Sequence, residues 1–370
     1  MRVLVLWADN ASANMGVRVL AAGMGELARR AWGPDVHIEF QDFEAGESKV
    51  SFAGRALLKD AVFRHGHVKE RIRGFDVLLD SGAGDSFTDI YGLKRLSYMA
   101  YVHYLAGRFD RKLVLGPQTI GPFRSVIGKR LARRSLAHAA SVQARDSESA
   151  NYAAELGRAV DVSATDVVFC LPHAPVTAQR DVILNVSGLL WNDNPHVPAE
   201  KYRHAVRKII LSLRGEGRQV AVMAHVIDNP SHDNDVPAVR GLEREFGGDI
   251  ESVIPASLTD ARAIIGSGRV LIGARMHACL NALSMGIPAV AMSYSRKFRP
   301  LLADLGWPHV VDIRRSDDLA GDVLASVGLL AESCDDTDRV VVNLRKEAAA
   351  RIDRAVLGLR EAVSPPSGDS

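Results

Sequence analysis

The chain has 370 residues, 47% of them hydrophobic and 6% aromatic, which supplies apolar material for two ordinary cores. A formal net charge of +2, from 46 basic and 44 acidic side chains, argues against nucleic-acid binding by bulk electrostatics. Cys170, Cys279 and Cys334 are odd in number and widely spaced, which speaks against a disulfide framework or a thiolate metal site and points to a reducing compartment.

Residues 1–7, MRVLVLW, read as a strand and not as a signal peptide. No apolar run reaches the ~18–20 residues needed to cross a bilayer, so a cytoplasmic protein is expected. After the strand Val3–Trp7, the apolar positions Val17, Leu20, Ala21, Met24, Leu27, Ala28 and Ala31 share one helical face, and Val36–Phe40 is a second strand. The βαβ rhythm of a parallel sheet continues. Its members are strand Phe75–Leu79, a helix over about 93–106, strand Lys112–Leu115, a helix over about 125–139, strand Ser141–Ala144, a helix from Glu148 and strand Val167–Phe169.

Residues 171–179 hold two prolines without periodicity and read as a connector. A second α/β unit follows: strands Val182–Val186, Gln219–Ala224, Ile250–Ile254, Val270–Ile272 and Ala289–Met292, with helices over about 199–214, 236–246 and 259–265 and another from His277. The expected organisation is α/β, with two Rossmann-like doubly wound domains, 1–172 and 180–335, facing across a cleft. A separate C-terminal helix, 336–362, and a compositionally disordered tail, 363–370, complete it.

Candidate site residues lie where strands end. Ser81-Gly-Ala-Gly-Asp85 is a glycine loop after a strand, but it lacks GxGxxG spacing, so dinucleotide binding is not expected. Asp85 and Asp89, with Tyr91, could bond sugar hydroxyls, and one could serve as base; a helix cap is the competing reading of Asp85. Gln118 and Thr119 sit on a stiff loop between Gly116-Pro117 and Gly121-Pro122 and are candidates for lining an acceptor site. Lys129, Arg130, Arg133 and Arg134 form a basic cluster on one helix, either a solvated face or a patch for peripheral contact with anionic lipid.

His225 ends a strand of the second unit and is a candidate general acid or base. Asp228, His232, Asp233 and Asp235 follow in a polar loop whose Asp233-Asn234-Asp235 triplet fits Asx turns better than a metal site. His65-Gly-His67 has no third ligand in its neighbourhood and reads as surface. Gly273-Ala274-Arg275-Met276-His277 joins an apolar strand to an apolar helix, so a guanidinium, an imidazole and helix N–H groups can meet one anion. Lys297, beyond the next strand, could add a point charge.

The segment 273–297, GARMHACLNALSMGIPAVAMSYSRK, resembles the Arg-x-His region of the polysaccharide pyruvyltransferase family. Segments 81–92, 116–123, 144–149 and 164–169 agree in order, so the resemblance runs from about residue 3 to about residue 310. One motif departs: the family's Asn-x-Gly-Asp is here Asn14-Met15-Gly16 followed by Val17, so its aspartate has no counterpart. The resemblance implies a fold like that of the two-Rossmann-domain (GT-B) glycosyltransferases, with phosphoenolpyruvate as donor and a glycan or lipid-linked sugar as acceptor. It also implies that Arg145, Arg275, Met276 and His277 contact the donor, although Arg145-Asp146 alone would read as a local ion pair. The chemistry requires no metal or organic cofactor. The competing expectations are a nucleotide-sugar glycosyltransferase and a catalytically silent sugar-binding protein.

Overall fold

In the computed structural model, residues 1–63, 66–176, 178–227 and 232–363 are described, without the side chain of Glu47. The chain divides into two compact units. The first comprises Met1–Ser12, Val17–Leu171 and the chain from Ala348; the second comprises Ala13–Gly16 and Pro172–Glu347.

In the first unit, β1 (Arg2–Leu6) leads through α1 (Met15–Trp32, whose first two residues belong to the second unit) to β2 (His37–Gln41). Then come α2 (Gly54–Val62), α3 (His67–Arg73), β3 (Val77–Asp80), α4 (Leu93–Arg108), β4 (Lys112–Gln118), α5 (Val126–His138), β5 (Ser141–Ala144), α6 (Ser147–Glu155) and β6 (Val162–Ser163). All pairings are parallel, in the order β2-β1-β3-β4-β5-β6. Its central strands are apolar because helices cover both faces: Leu4, Leu78, Leu115 and Val142 join one core cluster, and Val3, Val5, Val77 and Val114 join the other.

In the second unit, β7 (Arg180–Asn185), α7 (Gly188–Trp191), α8 (Ala199–Gly215), β8 (Val220–Met223), α9 (Val236–Glu245) and β9 (Glu251–Val253) precede α10 (Leu258–Gly266) and β10 (Gly268–Gly273). The chain continues through α11 (Met276–Ser284), β11 (Ala289–Ser293), α12 (Phe298–Asp304), β12 (Val310–Asp312), α13 (Leu319–Glu332) and α14 (Cys334–Val363). Again the sheet is parallel, in the order β12-β11-β10-β7-β8-β9. Strand order reverses between β7 and β10, which makes their carboxyl ends the switch point where ligands of open α/β sheets bind.

Two expectations are corrected. Val167–Phe169 is not a strand: Val167–Cys170 forms a 3-10 turn started by the Asp166 side chain, which accepts from the Val168 amide at 3.0 Å, and the sixth strand is β6. Three apolar residues in a row suit either conformation, and the cap decides. The C-terminal helix is not a separate appendage either. Its first part belongs to the second unit, while Ile352, Ala355, Val356 and Leu359 are buried in the core of the first with Leu27, Ala28 and Val167. His65, Asp228 and residues 364–370 of the expected tail lie outside the described residues.

Candidate active site at the switch point of the second unit

Asn185 ends β7, and its side chain ties the neighbouring strands: Nδ2 donates to Met223 O at 3.2 Å, and Oδ1 accepts from the Arg275 amide at 3.0 Å. That bond holds the bend between β10 and α11, where Arg275 is extended (φ −95°, ψ 121°) before the first helical residue, Met276. His277 therefore occupies the first turn of α11, with its carbonyl accepting from Asn281 Nδ2 at 2.7 Å.

The guanidinium of Arg275 is 9% exposed and faces two carboxylates, Asp233 Oδ1 at 2.7 Å from Nη1 and Asp235 Oδ1 at 2.5 Å from Nη2. Burial works against its charge, but Asp235 and then Asp233 outweigh burial and raise its pKa. The two carboxylates differ in kind. Asp235 is fully buried and also accepts from Gly188 N at 2.7 Å and from His225 N and Val226 N at 2.9 Å each, so it locks the ends of β7 and β8 together. Asp233, by contrast, has a side chain 35% exposed. The Asp233-Asn234-Asp235 triplet thus serves an arginine.

His225 follows β8 and is buried. Burial first, then the neighbouring His277 and Arg275, push its imidazolium down to about 3, so the ring is neutral near pH 7. A ring held neutral in this way favours hydrogen bonding over carrying a proton near neutral pH. Its Nε2, Ser187 Oγ and Arg275 Nε are buried with no hydrogen-bond partner among the described residues. Buried polar atoms left so are costly unless a ligand engages them.

The segment Ala13–Gly16 is woven into this unit. Met15 N donates to His225 O at 3.1 Å, Ile227 N donates to Ala13 O at 2.9 Å, and Asn14 pairs with Val226. A β-carbon at Gly16 would lie 2.6 Å from His277 Nδ1, so glycine is required for that ring to sit where it does. Sequence reasoning treated Asn14-Met15-Gly16 as a truncated motif and missed this contact, and it missed Asn185 and Asp235 as positioning groups. Lys297 precedes α12, close enough to His196 to lower that imidazole's pKa, although burial and Arg314 lower it more. His196 in turn packs against Tyr294, with ring centroids 5.1 Å apart.

The remaining candidates belong to the first unit, so Arg145 and Arg275 do not share a unit. Arg145, after β5, is buried and bonds Asp166 Oδ2 through Nη1 at 3.0 Å, while its Nη2 has no hydrogen-bond partner among the described residues. Gln118 is also buried, with its amide oxygen and nitrogen both unpartnered among the described residues. Asp85 accepts from Tyr91 Oη at 2.8 Å and caps no helix, since α4 starts after Gly92. Asp89 is corrected: its carboxylate accepts from the Arg124 and Ser125 amides and from Ser125 Oγ, bonds that outweigh partial desolvation and lower its pKa. A carboxylate spent on the entry to α5 has little capacity left for a sugar hydroxyl.

Among solved structures, the UDP-GlcNAc 2-epimerase of Neisseria meningitidis matches with a TM-score of 0.57 at 10% identity, over 97% of this chain and 99% of that one. Alr3699/HepE of Anabaena matches with a TM-score of 0.55 at 10% identity, over 98% of each chain. At such identities the likeness establishes the fold, two Rossmann-like units of the GT-B class. The amylovoran biosynthesis protein AmsJ of Erwinia amylovora is 21% identical over 295 residues, 74% of this chain and 69% of that protein. The family model for polysaccharide pyruvyl transferases matches residues 29–296, a span that includes Arg145, His225, Arg275 and His277. The chain belongs to the polysaccharide pyruvyl transferase family and is an enzyme of that class.

Proposed function

We propose that this enzyme transfers the pyruvyl unit of phosphoenolpyruvate to two hydroxyls of one sugar in an exopolysaccharide or its lipid-linked precursor, forming a cyclic ketal and releasing phosphate. The observation that carries this reading is the Arg275-Met276-His277 corner, which lies at the switch point of its sheet within the span of the family match. The relative named for amylovoran biosynthesis supports an exopolysaccharide setting.

In this scheme the donor's phosphate or carboxylate exchanges with Asp233 on the outer edge of Arg275, while Asp235 keeps the guanidinium in place. The first turn of α11 adds N–H donors, and Lys297 adds a second cation. Neutral His225 and Ser187 complete the cradle through Nε2 and Oγ. His277 delivers a proton to the methylene carbon, forming a C–H bond and leaving cationic character on the carbon that bears phosphate. One sugar hydroxyl attacks there and loses its proton. The carbon–oxygen bond to phosphate then breaks, and a neighbouring hydroxyl adds to the same carbon and loses its proton. Of the two hydroxyl protons, one restores His277 and the other leaves with phosphate. In the first unit, Arg145 is the residue the resemblance implies for the donor, and Asp85 and Gln118 are the candidates for the acceptor.

Incubation with phosphoenolpyruvate and a panel of lipid-linked and aryl glycosides tests the scheme. Phosphate should appear in equal measure with a glycoside that has gained a ketal-linked pyruvyl group. Thermal stabilisation by a uridine diphosphate sugar without any by phosphoenolpyruvate would favour the nucleotide-sugar reading instead.

A further inference from the structure

The helix α5 has the sequence VIGKRLARRSLAH, four cations and no acidic residue. At 100° per residue, Val126, Ile127, Arg130, Arg133 and Arg134 fall on one arc, and Lys129 flanks it. All six are exposed, Val126 by 65% and Ile127 by 56%, while Gly128, Ala132, Ser135 and Leu136 form the buried face. Among the described residues none of the four cations is ion-paired, in contrast to the arginine–carboxylate pairs Arg30–Asp353, Arg180–Glu251 and Arg214–Asp249 elsewhere on the surface. The carboxylate of Asp89, at the helix entry, is turned onto the Arg124 and Ser125 amides.

Between α4 and α5 runs a groove of about 260 Å³ with mostly apolar walls, bounded by Tyr101, Tyr104, Leu131, Arg134 and His138. Tyr101 Oη donates to Asp60 of α2 at 2.9 Å, which ties a third helix to this layer. That helix and the residue after it expose Leu58, Val62 and Phe63 beside the basic Arg55 and Lys59.

We infer that this helical layer of the first unit docks on an anionic lipid surface, with Arg130, Arg133 and Arg134 at the headgroups and Val126 and Ile127 inserted below them. Unpaired cations alone would suit nucleic acid equally. Two exposed β-branched residues on the same face as the cations, beside an apolar groove, are chemistry that a phosphodiester backbone does not use and an acyl layer does. The placement is independent of the donor chemistry, since none of these residues belongs to the switch-point site.

Full-length protein should be sedimented with phosphatidylcholine vesicles, with and without phosphatidylglycerol, and titrated with a fluorescent single-stranded oligonucleotide. Binding is expected only to the anionic vesicles, falling roughly fivefold for each cation removed. The triple variant Arg130→Glu, Arg133→Glu, Arg134→Glu should lose it. Val126→Asp with Ile127→Asp should weaken it at least roughly tenfold with every cation retained. Phosphate release on a soluble glycoside should stay at the wild-type level in both variants, which separates this inference from the pyruvyltransferase reading. Equal binding to both vesicle types, absence of binding, wild-type binding by either variant, or binding of the oligonucleotide in place of vesicles would overturn it.

Discussion

At the residue scale, the central fact is that Arg275 meets one fully buried and one partly exposed carboxylate. If the donor displaces Asp233, Asp233→Asn should lower the KM for phosphoenolpyruvate several-fold with kcat little changed, the scale of a partly exposed ion pair at ~1 kcal/mol. A raised KM in steady-state kinetics would count against the exchange. Arg275→Lys keeps the charge but loses the planar fork, and kcat/KM for phosphate release should fall roughly 100-fold. His225 sets a pH dependence of stability. With its pKa depressed to about 3, the folded ring resists a proton that the unfolded chain accepts at about 6.5. Its contribution is therefore complete above about 6.5 and is lost as pH falls towards 3, with a slope of up to about 1.4 kcal/mol per pH unit. Denaturant titrations of His225→Gln across that window should give a flatter acid limb than the wild type; an unchanged limb would place the titration elsewhere.

At the element scale, Gly16 in the first turn of α1 is the contact on which the His277 ring rests. Gly16→Ala gains helix propensity yet forces that ring to move, so kcat should fall at least roughly tenfold while Tm, read by calorimetry, holds or rises. The parallel strands were legible because Leu4, Val77, Val114, Ile183 and Val290 sit in near-continuous apolar runs of the kind buried sheets require. The Arg275–His277 corner was legible for a related reason: an arginine and a histidine breaking an apolar strand–helix junction have few structural explanations. Asp235 was not legible. Ten residues separate it from His225 and 40 from Arg275, and only the sheet order β10-β7-β8 reveals that one carboxylate serves both. Edge strand β12 escaped notice because three residues carry no period, and the turn at Val167 because its cap, Asp166, also reads as a strand end.

At the scale of the whole molecule, α14 contributes to both units, with Ile352 and Leu359 in the core of the first. Truncating either to alanine should cost about 2–5 kcal/mol, measured by denaturant melting, although both stand far along the chain from the strands they cover. A result within experimental error of wild type would mean that the helix end is only lightly packed. The same feature bears on building hybrids between members of the family. Swapping the opening half of this enzyme for a cousin's, spliced at the proline-bearing connector near residue 172, would leave the incoming sheet roofed by a foreign helix. A workable hybrid needs two junctions, the second near residue 348, so that each front half travels with its own tail piece.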